Sequence, residues 1–166
     1  MNKLKKINFS EIEMVLMDCD GVLTDGTLPY LPDGTVLKVF HAHDGYGIEQ
    51  GRMHGLKFAI ISGKFADANK FRADRLKIQD LYQNCKDKTA AAEDLSKKYN
   101  IPLKNMCFIG DDVFDIPLLQ KVGFSASPPE ALNEVKKLVH YITKASAGRG
   151  CVREVIDLIL KKQRKI

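Results

Sequence analysis

The chain of 166 residues has no tryptophan, and its aromatic residues, 8% of the total, are not interleaved with lysine and arginine. A surface that stacks nucleic-acid bases needs such interleaving, so the composition argues against one. The four cysteines, Cys19, Cys85, Cys107 and Cys151, lie far apart with no CxxC pair. That spacing excludes a zinc knuckle or a dithiol redox motif and favours reduced thiols over a disulfide frame. No apolar run approaches the ~20 residues that cross a bilayer. Met14 to Met17, the first apolar run after the N-terminal lysines, is too short for the core of a secretory leader. The expectation is a soluble, cytoplasmic protein with no membrane partner.

A one-signed body is missing as well. The net charge of +5 comes from the ends, through Lys3, Lys5, Lys6, Lys161, Lys162, Arg164 and Lys165. Setting those seven aside from the 26 basic residues leaves 19 against 21 acidic ones. Basic tails are solvated by default, and no nucleic-acid partner is expected.

What is present is a globular composition, 45% hydrophobic, sized for a single domain over residues 1–166. Continuous apolar runs predict buried strands at 14–17, 56–61, 106–109, 123–126 and 139–142, with a short strand at 80–82. Between them, caps and breakers predict helices from Asp44 to about His54, about Ala66 to Lys77, from after the Lys86-Asp87-Lys88 cluster to about Tyr99, through Pro117 to about Lys121, Pro129 to Leu138, and Val152 to about Lys161. A β-hairpin, Thr27 to Leu31 and Thr35 to Phe40 around Pro32-Asp33-Gly34, follows the first strand. Alternating strands and helices predict an α/β, Rossmann-like parallel sheet with helices on both faces.

Chemistry gathers where these strands end. The first runs into Asp18-Cys19-Asp20-Gly21, the second into Ser62-Gly63-Lys64, and the fourth into Gly110-Asp111-Asp112 with Asp115, while Lys88 follows the third. A parallel sheet brings all of them to one edge. Carboxylates about 4 Å apart repel by roughly 4 kcal/mol at an effective dielectric near 20, so a cation belongs among them, and oxygen donors favour Mg²⁺. A phosphoryl group there would meet the cation, Ser62, the backbone at Gly63 and the Lys88 ammonium. Asp18 is the expected nucleophile. Asp20 is the expected acid for the leaving alkoxide and then the base for water.

In this order the residues resemble the haloacid dehalogenase superfamily. Asp20 to Gly26, Asp44 to Ile48 and Gly148-Arg149-Gly150 with Val152-Arg153-Glu154 resemble its cap-less phosphatases of the 3-deoxy-D-manno-octulosonate 8-phosphate type. The resemblance implies a Mg²⁺-dependent phosphatase of lipopolysaccharide biosynthesis working through an aspartyl phosphate. Asp18, Asp111 and the Asp20 carbonyl are implied metal ligands, with Asp112 and Asp115 behind them. Asp44, Gly45, Gly63, Lys64, Arg72 and Lys88 are implied substrate contacts, with His41, His43, Arg149 and Arg153 added. A homotetramer is implied, hairpins at its centre and each site completed by a neighbour.

Spacing independently excludes a separate cap domain. Only 41 residues lie between Asp20 and Ser62, and the hairpin, a helix and a strand fill them. Departures from the resemblance, at His41, His43, Glu49 and Ala147, fall on the substrate side and leave a nine-carbon ulosonate 9-phosphate (KDN or sialic acid type) as the alternative substrate. Lys64 favours the eight-carbon one. A phospho-accepting receiver domain is disfavoured by motif order, since Lys88 precedes Gly110-Asp111-Asp112. The remaining rival is an inactive oligomerisation or regulatory domain like those of acylneuraminate cytidylyltransferases, which has no use for so many carboxylates.

Overall fold

Every side chain of Met14 to Met17 and of Met106 to Ile109 is buried, which a strand achieves only when both faces of its sheet are covered. The computed structural model, which describes residues 3–166, shows that sheet. Its strands are β1 (Met14–Met17), β2 (Lys57–Ile61), β3 (Asp80–Tyr82), β4 (Met106–Ile109), β5 (Phe124–Ser127) and β6 (Tyr141–Ile142). All pairings are parallel, in the order β3-β2-β1-β4-β5-β6. Met17 of β1 is level with Ile60 on one side and Ile109 on the other. The strands on either side of β1 are reached by crossovers of opposite direction, so the crevice beyond β1 and β4 is the switch point where such sheets hold ligands.

Residues alternate between two cores. Val15, Met17, Phe58, Ile60, Cys107 and Ile109 face α1 (Ala42–Met53), α2 (Asp67–Arg75) and α6 (Cys151–Lys162). Met14, Leu16, Ala59, Ile61, Met106 and Phe108 face α3 (Lys88–Tyr99), α4 (Ile116–Leu119) and α5 (Asn133–Leu138). Helix α6 buries Cys151, Val152, Val155, Ile156, Ile159 and Leu160, a stripe of helical period. Helix α1 meets it closely, because a Cβ at Gly47 would stand 2.6 Å from Arg153 Cδ, and one at Gly51 3.3 Å from Ile156 Cγ2.

Some boundaries differ from expectation. The hairpin is reduced to an arm with a single antiparallel bridge, Tyr30 to Val36, closed by the Leu31 N–H on Thr35 O at 2.8 Å. Its two limbs have nothing else to pair with, since the arm projects from the sheet with Leu28, Tyr30, Leu31, Leu37 and Val39 exposed. The expected helix from Pro129 begins only at Asn133, and β6 keeps two residues. Between β1 and β2 stand the arm and α1, and no cap domain is inserted.

Candidate active site

Asp18 prolongs β1 by one rung, its N–H donating to Ile109 O at 3.0 Å, and then presents its carboxylate at the crevice. Oδ1 accepts the Cys19 N–H at 2.6 Å, and Oδ2 lies 2.7 Å from Lys88 Nζ. Lys88 opens α3 with its side chain only 2% exposed, and its Nζ also lies 2.6 Å from Asp115 Oδ1. The other oxygen of Asp115 accepts the N–H groups of Asp111 at 3.0 Å and Asp112 at 3.2 Å. Asp115 therefore shapes the loop after β4 and anchors the lysine at once. Phe114 completes the seat, its ring centroid 4.6 Å from Lys88 Nζ.

Carboxylate oxygens of Asp18, Asp111 and Asp115 lie within 4.8 Å of one another. One ammonium faces three carboxylates. Burial, only partly offset by Lys88 and reinforced by Asp115, raises the Asp18 pKa to about 6. Burial and then the charges of Asp18 and Asp115 raise Asp111 to about 7. Asp111 Oδ1 is buried without a hydrogen-bond partner. An orphaned carboxylate oxygen among other carboxylates suits a hard cation, and this all-oxygen donor set fits Mg²⁺. Gly21 makes the approach possible. At φ +80° it takes a conformation that favours glycine, and a Cβ there would stand 2.2 Å from Asp111 Oδ2.

Asp18, Asp20, Gly63, Lys64, Asp111 and Asp112 line one cleft of about 510 Å³. Ser62 sits just behind it, its hydroxyl donating to Lys64 O at 3.0 Å and accepting the Lys64 N–H at 3.3 Å. It thus shapes the turn that presents Lys64. Asp112 caps the turn after β4, Oδ1 accepting the Val113 N–H at 2.5 Å, and lies outside the three-carboxylate cluster. Among the described residues the Asp20 side chain is paired with Lys38 instead of joining that cluster.

The remaining predicted contacts lie elsewhere. Asp44 is buried and accepts the N–H groups of Arg153 at 2.8 Å and Gly150 at 3.1 Å, capping α6 across the helix pair. Gly45 lies against the arginine side chain that borders the arm, a Cβ there standing 2.9 Å from Arg72 Nη2. Arg72 itself donates to His41 O at 2.8 Å and lies over the Phe40 ring, beside the arm and not in the cleft. His41 caps α1 through the His43 N–H, whereas His43, Arg149 and Arg153 line a separate groove. Lys38 was missed. Its only sequence signal is a lone charge in the run Thr35 to Phe40 that follows the acid pair.

A haloacid dehalogenase-like hydrolase family model matches residues 46–156. The chain belongs to that family. Within the haloacid dehalogenase-like hydrolases, the 3-deoxy-D-manno-octulosonate 8-phosphate phosphatase of Escherichia coli is 38% identical over 155 residues, covering 93% of this chain and 82% of that one. The enzyme of the same name from Moraxella catarrhalis, solved with magnesium, phosphate and KDO, superposes with a TM-score of 0.93 at 36% identity, covering 98% of this chain and 92% of that one. The cobalt-bound form of the Haemophilus influenzae phosphatase superposes with a TM-score of 0.91 at 33% identity, over 95% and 92% of the two chains.

Proposed function

We propose that this chain is a Mg²⁺-dependent phosphatase that hydrolyses 3-deoxy-D-manno-octulosonate 8-phosphate to the free sugar acid and inorganic phosphate, a step of lipopolysaccharide biosynthesis. The observation that carries it is the buried cluster of Asp18, Asp111, Asp115 and Lys88 at the switch point, with one carboxylate oxygen left for a cation. The relatives' substrate agrees with it.

Asp18, Asp111 and the Asp20 carbonyl would hold the ion, with Asp115 and Asp112 shaping the loop behind. When bound, Mg²⁺ neutralises the phosphoryl oxygens and the repulsion among the carboxylates. Asp18 attacks phosphorus, so that a P–O bond to Asp18 forms while the bond to the sugar oxygen breaks. Asp20 gives its proton to the departing alkoxide. As a carboxylate it then takes a proton from the water that attacks the aspartyl phosphate, which releases phosphate and restores Asp18. Lys64, on the turn shaped by Ser62, faces the cleft as the cation for the substrate's anionic groups.

The exposed apolar residues of the arm support a homotetramer in which arms pack together. In that assembly Arg149 and Arg153, which do not line their own chain's cleft, serve a neighbour's. No helix among the described residues is long and apolar enough to cross a membrane, and the reaction is assigned to the cytoplasm.

Phosphate release, with and without Mg²⁺, from the octulosonate 8-phosphate, nine-carbon ulosonate 9-phosphates and hexose phosphates tests this reading. Metal-dependent turnover favouring the eight-carbon acid is expected. Preference for a nine-carbon acid would move the substrate and keep the chemistry, whereas no release from any ester would make the inactive-domain reading the leading one.

A further inference from the structure

The returning limb of the arm is inside out. Leu37 and Val39 are 47% and 71% exposed, while the Lys38 side chain between them is 2% exposed. An extended segment that obeyed solvent alone would turn the lysine out and the aliphatics in. Lys38 instead carries its ammonium beneath the arm to Asp20, with Nζ 2.7 Å from Oδ1 and 2.9 Å from Oδ2. Burying an ammonium is costly unless a specific anion compensates it, and Asp20 is the only carboxylate paired with it among the described residues.

Asp20 depends on the pairing in turn. Its side chain is 24% exposed at the cleft, and its other partner, the Thr24 hydroxyl, is distant at 3.5 Å. Without Lys38 the carboxyl group would keep only that long contact at the mouth of the cleft. An acid that must meet a leaving oxygen within hydrogen-bond reach cannot work efficiently from such a position.

We infer that Lys38 is the positioning residue for Asp20: it holds the resting carboxylate through both oxygens at the mouth of the cleft, holds the protonated acid through the oxygen that does not carry the proton, and compensates the carboxylate that remains after transfer. The inference rests on the phosphatase reading with Asp20 as the acid. In the step concerned, Asp20 enters with a proton taken from water on one oxygen, the P–O bond to Asp18 forms, the bond to the leaving oxygen breaks, and that proton passes from Asp20 to the leaving oxygen. Lys38 keeps its own protons throughout. Because Lys38 belongs to the arm, whatever packs the arm down also sets the acid.

The test compares two esters in the full chain with Mg²⁺. A sugar alkoxide needs a proton to leave, whereas 4-nitrophenolate does not, and kcat/KM counts only the steps up to transfer onto Asp18. K38M should lower kcat/KM for the octulosonate 8-phosphate about 10- to 100-fold, part of the ~10²–10⁴ a general acid supplies, with a much smaller fall for 4-nitrophenyl phosphate. K38R, which keeps a cation, should recover part of the alkyl-ester loss. An active wild type whose K38M variant loses both esters alike, or neither, overturns this inference alone. A wild type inactive on both esters overturns the phosphatase reading and this inference with it.

Discussion

Lys88 Nζ lies 2.7 Å from Asp18 Oδ2 and 2.6 Å from Asp115 Oδ1, so one buried ammonium joins the residue after β1 to the loop after β4. The two carboxylates follow strands that share a ladder, which brings their segments together while their like charges repel. The lysine compensates both.

Two variants separate that structural work from the chemistry. Lys88→Met leaves buried carboxylates uncompensated and should cost about 3–5 kcal/mol of stability along with turnover. Asp18→Asn keeps an acceptor for Lys88 and removes one of the crowded charges, so burial no longer opposes it, although its NH2 then faces the Cys19 N–H. Its metal-free melting temperature should be equal to or above wild type, with turnover at least ~10³-fold lower, the loss expected of a missing nucleophile. Thermal melts beside phosphate release check both, and near-normal turnover in the asparagine variant would remove Asp18 from its role.

Gly21→Ala tests the metal geometry from the backbone side. The added Cβ would stand 2.2 Å from Asp111 Oδ2, at a residue with φ +80°, so either the turn or the Asp111 carboxylate must move. The strain should cost about 1–3 kcal/mol. Turnover should fall about 100-fold, the loss typical of a displaced catalytic geometry. The Mg²⁺ concentration for half-maximal rate should rise, and an unchanged metal requirement would show that the Asp111 carboxylate is not displaced by the added Cβ.

Asp44→Ala should act on stability and not on the chemistry. The lost carboxylate strands the N–H groups of Gly150 and Arg153 at the start of α6, a cost of about 1.5–3 kcal/mol. Denaturant melts should show the loss while KM stays within twofold of wild type. A large rise in KM with unchanged stability would restore Asp44 to the substrate.

Asp44 also shows where reading the chain stopped. The strands were legible because an uninterrupted apolar run such as Met14 to Met17 needs cover on both faces, and the strand-end acids followed from parallel topology. Asp44 and Gly45 instead answer to residues far along the chain, Arg153 and Arg72, and nothing local distinguishes a tertiary helix cap from a ligand contact. Lys38 stayed hidden for a similar reason. Its turn or strand register decides whether it faces water or Asp20, and an arm without a partner strand leaves that register unwritten.

His140 gives the fold a pH dependence independent of the cleft. Its Nδ1 accepts the Ser125 N–H at 3.0 Å and lies 2.8 Å from the Ser125 hydroxyl, so the ring is held neutral with its proton on Nε2. Burial, and then the charge of Lys3, lowers its pKa below the ordinary 6.5. The unfolded chain therefore takes up a proton before the folded one. Stability is fully present above 6.5 and falls as pH drops from there through the depressed folded value. His140→Asn places an amide oxygen near the position of Nδ1 and carries no titratable proton. Melting temperatures from about pH 8 to 5.5, the range in which histidine changes charge, should fall more steeply for wild type than for the asparagine variant. Parallel curves would mean that His140 is protonated in the fold, which the Ser125 N–H pointing at Nδ1 does not allow.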